Sequence, residues 1–256
     1  MKKNLLTLSV TIVVLSTFIL TSCKKEEDDS ISMNDVKIGI QLISGNNNKD
    51  YEVVDLGLTS GNLWATCNIG ATSPEQTGNY YAWGETTTKN SFEWSNYALS
   101  RDGDRFSITK YCLHTDNGQV DNKKKLETTD DVAYTLMGEK WRIPDESDFS
   151  ELIRSCTRKW CTLNGVGGFL FTSKKKGYED RSLFFPLAGT KDYDQIKHEG
   201  KYGWYWSTDL FTDDANQIKT TEISVLWLEH IEVDNQIINF RTRYLGLPVR
   251  PVYYPN

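Results

Sequence analysis

The sequence predicts an α+β domain in which short antiparallel strands flank two central helices and long loops join them. Three observations carry that expectation. From residue 51 onward, runs of strand composition alternate with clusters of Gly, Asn and Asp. Between residues 128 and 153, two stretches carry helix-start chemistry followed by apolar residues at helical spacing. Thirty of the 31 Phe, Tyr and Trp residues fall after residue 50, and each buried aromatic removes roughly 150–250 Å² from water, so this segment can build a sizeable core.

The chain starts with Lys2 and Lys3 before an uncharged apolar and hydroxylic run over residues 5–20, and then reads Leu20-Thr21-Ser22-Cys23. That order marks residues 1–22 as a secretory leader. Several Ser and Thr interrupt the run, whereas a membrane-spanning helix needs about 20 mostly apolar residues. The local pattern resembles a bacterial lipobox, which implies cleavage before Cys23 and lipidation of its thiol. The acyl chains, palmitate among them, then hold the mature protein to a membrane at about 0.8 kcal/mol per buried methylene. Lys24, Lys25, Glu26, Glu27, Asp28 and Asp29 follow directly. They resemble the export tag of surface lipoproteins of Bacteroidetes, which implies a lipid-anchored place on the outer membrane, facing the cell surface.

Residues 23–50 contain no Phe, Tyr or Trp and include Ser44-Gly45-Asn46-Asn47-Asn48, so they read as the lipidated Cys and a polar tether. A short strand over residues 36–43, where Val36, Ile38, Ile40 and Leu42 alternate with other residues, is the competing reading. Residues 51–256 form the globular domain. Strands are expected at 63–67 and 79–83. Thr128-Thr129-Asp130-Asp131 opens the first helix, with Val132, Ala133, Leu136 and Met137 as its buried stripe before Gly138. Pro144-Asp145-Glu146-Ser147-Asp148 opens the second, with Phe149, Leu152 and Ile153 facing inward. Strands return at 169–173, 183–186, 204–207, 223–228, 237–241 and 249–253, the last pairing with an early strand to close the domain.

The chain carries a net charge of -6, which becomes -8 once the two leader lysines are removed. That acidity argues against a nucleic-acid partner. Beyond Cys23, the four cysteines Cys67, Cys112, Cys156 and Cys161 in an exported chain favour disulfides, with three pairings open. No metal site is expected, because Cys-x4-Cys lacks a matching second pair and His114, His198 and His230 are scattered. No cofactor loop, catalytic elbow or metalloprotease helix occurs, so the expectation is a protein that is not an enzyme, with no catalytic residues.

A longer pattern runs through the body. It begins with Val54-Asp55-Leu56-Gly57-Leu58 and Leu63-Trp64-Ala65-Thr66-Cys67-Asn68-Ile69-Gly70-Ala71, and continues with Tyr81-Ala82-Trp83-Gly84-Glu85-Thr86 and Lys110-Tyr111-Cys112. Trp141-Arg142-Ile143-Pro144, Phe185-Pro186-Leu187-Ala188-Gly189, Gly203-Trp204-Tyr205-Trp206-Ser207 and Val249-Arg250-Pro251-Val252 complete it. In this order the motifs resemble the Fibrobacter succinogenes major paralogous domain over about residues 51–254. The family is related to the C-terminal domain of a collagen-like bacterial adhesin. The resemblance implies a compact C-type-lectin-like fold with neighbouring termini, long loops on one side, and attachment to glycans or glycosaminoglycan-like polymers. Calcium-bridged sugar binding is not implied, since the loop motifs of calcium-dependent lectins are missing and Trp206-Ser207-Thr208-Asp209 is only distantly similar.

Carbohydrate sites stack aromatic rings on sugar faces while acids, amides and arginines bond the hydroxyls. Trp204, Trp206 and Asp209 offer such a set, with Trp83 and Glu85 as a second. The competing role for these aromatics is the core: Trp204 and Trp206 share one face of a strand and Tyr205 takes the other. Arg142 and Arg250 are expected to pair internally, with Asp55, Asn68 and Glu85 as partners to consider. Lys174-Lys175-Lys176, or Arg241 with Arg243, offers a basic patch against the overall acidity. The expected function is a surface adhesin or glycan-binding module; the alternative is a structural or protein-interaction component of a cell-surface assembly.

Overall fold

The structure, a computed structural model, describes residues 29–37, 39–229 and 238–255. The leader, Cys23, the charged run 24–28, Ile38, His230 and Ile237 lie outside the described residues.

The elements run β1 (Ser30–Ile31), α1 (Met33–Val36), β2 (Ile40–Ser44), β3 (Asp50–Val54), β4 (Leu63–Ala65), α2 (Val132–Met137), β5 (Trp141–Arg142), α3 (Glu146–Ser155), β6 (Cys156–Leu163) and β7 (Val166–Ser173). They continue with β8 (Ser182–Pro186), β9 (Thr190–Asp192), β10 (Gln195–Lys197), β11 (Tyr202–Thr212), β12 (Ile218–Glu229), β13 (Ile238–Thr242) and β14 (Val252–Tyr253). The expected α+β arrangement with two central helices is thereby corrected: the chain is mostly β, 39% strand against 14% helix, and its strands form four sheets.

The physical reasons sit at the element ends. Helix α2 starts where its sequence says, because the Asp131 carboxylate accepts the N–H groups of Ala133 and Tyr134 as an N-cap. Gly138, at φ +121°, ends it after six residues, and Leu136, expected in its buried stripe, is 42% exposed. Helix α3 buries Phe149 and Leu152, is capped by Asp145, and passes at Cys156 straight into β6. That strand exposes Thr157, Arg158 and Lys159, so its composition hides it. Its signal is instead the turn Asn164-Gly165, whose φ angles of 51° and 81° join Leu163 to Val166 in a two-residue hairpin.

One sheet has the order β2-β3-β4-β14-β5, a second β1-β6-β7-β8, a third β11-β12-β13, and β9 pairs with β10. The closing strand β14 lies antiparallel between β4 and β5, so the end of the chain does pair with an early strand. The expected strand at 79–83 is reduced to the single bridge Tyr81↔Leu247. Within the stretch expected as tether, residues 29–50 carry β1, α1 and β2. Strand β1 pairs parallel with β6, β2 pairs with β3 over five residues, and Val36 packs with Cys161, Leu163 and Phe184. Backbone pairing holds β2 together with Ile40 and Ile43, which pack against the two largest core clusters, while Leu42 is 66% exposed.

Strands β11 and β12 separate the two largest core clusters. Trp204, Trp206, Ile223 and Val225 face one, with Trp83, Trp141 and Val249; Tyr205, Leu226 and Leu228 face the other, with Trp64, Phe149 and Phe185. Residues 66–131 contain no α-helix or strand and are held by side chains. Arg243 does much of this, donating to Tyr97 Oη and to the carbonyls of Lys110, Tyr111 and Thr220.

The disulfide expectation is also corrected: Cys67, Cys112, Cys156 and Cys161 are all free thiols. Cys156 and Cys161 lie five residues apart in one strand, hence on opposite faces and about 16 Å apart, while a disulfide tolerates about 7 Å between Cα atoms. Cys112, Cys156 and Cys161 are buried in three different clusters. Burial pushes Cys156 up to about 12 and Cys161 up to about 11, so both remain protonated.

Candidate functional site

A cleft of about 630 Å³ opens beside the five-stranded sheet. Strands β2 and β3 supply Leu42, Asp50, Tyr51 and Glu52; the last residue of β4 and the segment after it supply residues 65–72; Asn79 and Tyr81 close the far side, and the end of α2 with Pro251 completes the wall. Tyr51 stands there on the more exposed first half of β3, whose second half, Val53 and Val54, is buried. Its ring meets Trp141 edge-on at 5.4 Å, while Lys49 lies 5.1 Å from its centroid. The ring is therefore held in orientation while half exposed. Burial raises its phenol pKa, so the hydroxyl stays protonated at neutral pH.

The polar lining combines amides, hydroxyls and carboxylates. Asp50 accepts from Ser44 Oγ at 2.6 Å, and Glu52 lies 3.7 Å from Lys37 Nζ. Asn79 donates to Tyr81 Oη at 3.3 Å. Gly70 lets that carboxamide come close: a Cβ built on it, at φ +86°, would stand 2.4 Å from Asn79 Cγ. Asn68 is committed to the scaffold, donating to Thr77 O at 2.9 Å and accepting from Arg250 Nε at 2.8 Å. Arg250, fully buried, also donates to the carbonyls of Ala65 and Thr66 and so fixes the cleft floor from behind.

Cys67 is the one thiol on this wall among the described residues. Burial raises its pKa, with Glu52 acting in the same direction and Arg250 opposing. A protonated thiol is a poor nucleophile, and beside it the cleft presents the Tyr51 ring and the polar groups of Asp50, Glu52 and Asn79.

The residues singled out from sequence lie elsewhere. Trp83, Trp204 and Trp206 come together in one core cluster with 0%, 4% and 0% exposure. Trp83 Nε1 donates to Ser207 O at 2.8 Å and Trp206 Nε1 to Tyr81 O at 2.7 Å, which staples residues 81–83 to β11. Glu85 is buried and accepts from Lys89 Nζ and the Ala98 N–H; Asp209 is half-buried and accepts from the Glu146 N–H at the start of α3. Both carboxylates are thus committed to partners within the chain. Arg142 pairs with Asp148. Sequence reading did not pick out Tyr51, Asn79 or Asp50; the polar-apolar alternation of Lys49-Asp50-Tyr51-Glu52-Val53-Val54 was the available signal.

Among the described residues, no helix is long and apolar enough to cross a membrane, and no three His, Cys, Asp or Glu side chains are grouped to hold a metal ion. No known family model, curated protein or solved structure matches the chain.

Proposed function

We propose that this chain is a lipid-anchored surface protein of the outer membrane, an adhesin whose body binds glycans in the cleft beside Tyr51. The observation that carries the reading is that cleft: a half-exposed ring fixed by Trp141, next to Asp50, Glu52 and Asn79, offers an apolar stacking face beside hydroxyl-bonding groups. The lipobox-like Leu20-Thr21-Ser22-Cys23 supports the anchor, and the ordered motifs of residues 51–254 support kinship with the major paralogous domain. On a glycan array the full chain is expected to retain at least one polysaccharide. Cys23→Ser is expected to move it from the membrane to the soluble fraction. Silence on the array, together with capture of a defined outer-membrane protein, overturns the glycan reading.

One observation favours the alternative of a protein-interaction component. Strand β2 is an edge of its sheet and carries exposed Leu42, a geometry that can accept a strand from another protein.

A further inference from the structure

Away from the cleft, β13 and the start of β11 bring a cation onto a stack of rings. The Arg241 guanidinium lies 3.8 Å from the Trp204 ring centroid, and Trp204 stacks on Tyr202 at 4.9 Å and 21°. His198 meets both rings edge-on, at 5.5 Å and 5.9 Å, and Lys201 Nζ lies 5.1 Å from the Tyr202 centroid. Of the arginine's donors, Nη1 is committed to Phe240 O at 2.8 Å. Among the described residues, Nε and Nη2 have no partner and no carboxylate pairs with the charge. Burial pushes Arg241 down to about 10, as expected of a partly desolvated cation without a counter-ion. Trp204 Nε1 and its cross-strand neighbour Trp227 Nε1 also find no acceptor. The patch is thus rich in donors and short of acceptors. Its contrast with Arg243 is instructive, since that arginine is fully buried with four internal acceptors and has nothing left to offer.

We propose that Arg241, Tyr202, Trp204 and Lys201 form a second ligand site, which takes the carboxylate of an acidic saccharide at the guanidinium while the sugar ring lies along Tyr202. A guanidinium edge matches a carboxylate by two parallel hydrogen bonds, and Nε with Nη2 is the edge left open here. The ring stack supplies the apolar surface that a sugar covers. A uronate fits better than a densely sulfated chain because the protein is net acidic, at -6, and a single arginine matches a single carboxylate. Glu229, paired in register with Tyr202 and therefore on the same face, opposes the ligand's charge and limits its affinity.

The inference rests on the glycan-binding reading and is separable from it by titrating the full chain with galacturonate oligomers and with uncharged galactose oligomers. The acidic oligomers are expected to bind. Arg241→Gln is expected to weaken them by about ten-fold, with an unchanged melting temperature and unchanged binding of uncharged glycan. Glu229→Gln is expected to tighten them, a gain that loss of structure would not give. If Arg241→Gln leaves the acidic oligomers unaffected while uncharged ones bind, this site is overturned and the glycan reading stands. If no saccharide binds at all, both fall.

Discussion

Single side chains decide whether the long irregular segment of this molecule holds together, and most of them are charges without an opposite charge. Arg243 and Arg250 are fully buried and are compensated by carbonyls, a hydroxyl and one amide. Asp131 is the anionic counterpart. It accepts N–H groups from Ala133, Tyr134 and Ile143 at 2.8, 3.2 and 2.9 Å, yet burial outweighs them and pushes its carboxyl from 3.8 up to about 6. Because the folded value lies above the unfolded one, both states hold the proton below about pH 3.8 and the group costs nothing there. As pH rises from 3.8 to 6 the unfolded chain ionises first and stability is lost, fully so above 6. The shift corresponds to a loss on the order of 3 kcal/mol. Asp131→Asn removes it, so the unfolding free energy of the variant minus that of the parent should rise by about that amount between pH 3.5 and 7. Denaturant titrations at both pH values read this difference directly. The same slope in both proteins would mean that burial leaves the Asp131 carboxyl at its unfolded value.

At the scale of elements, the hairpin β6–β7 shows how local chemistry can specify a strand whose composition does not. Gly165 has open space around a built Cβ, so substitution there meets no neighbour and tests backbone conformation alone. At φ +81°, Gly165→Val is expected to cost about 1–3 kcal/mol and Gly165→Asn less, measured by chemical denaturation. Equal costs would show that the turn does not hold this conformation. Legibility followed the same logic. The Asp131 start and Gly138 stop of α2 were readable because a cap and a breaker act within a few residues. Gly138 ends that helix after six residues, which is part of why the chain is mostly β. Strands β8, β11 and β12 were readable because β-branched and aromatic residues crowd them. Strand β6 was hidden by three exposed polar residues and β1 by a polar setting, whereas β2 overlaps the short strand that the alternation of Ile40 and Leu42 offers within residues 36–43. Residues 66–131 have no period to read, since their order comes from distant partners such as Arg243.

Across the whole molecule, the aromatic motifs around Trp83, Trp141 and Trp204-Tyr205-Trp206 form its interior, while the motif over residues 63–71 runs along the cleft wall. A Trp-Tyr-Trp run has the composition of a sugar platform and of a strand buried on both faces, and composition cannot separate the two; Trp206 at 0% exposure is core, and Trp204 at 4% backs Tyr202 and Arg241 without offering an open face of its own. The cleft is assembled from β2, β3, the segment after β4 and the end of α2, more than 80 residues apart, a proximity only the fold supplies. The two regions should therefore respond oppositely to mutation. Trp206→Ala deletes a fully buried indole and its bond to Tyr81 O, at about 3–5 kcal/mol, a large part of the roughly 5–15 kcal/mol that holds a domain together. It should lower the melting temperature steeply while the molecules that remain folded bind glycan as before. Tyr51→Ala removes a half-exposed ring that meets Trp141 edge-on, so it should leave the fold cooperative and reduce glycan binding by about ten-fold or more. Melting curves and binding isotherms measured on the same preparations distinguish the two effects. Full binding by folded Tyr51→Ala would remove the cleft as the site, and lost binding by Trp206→Ala that is still folded would return it to β11.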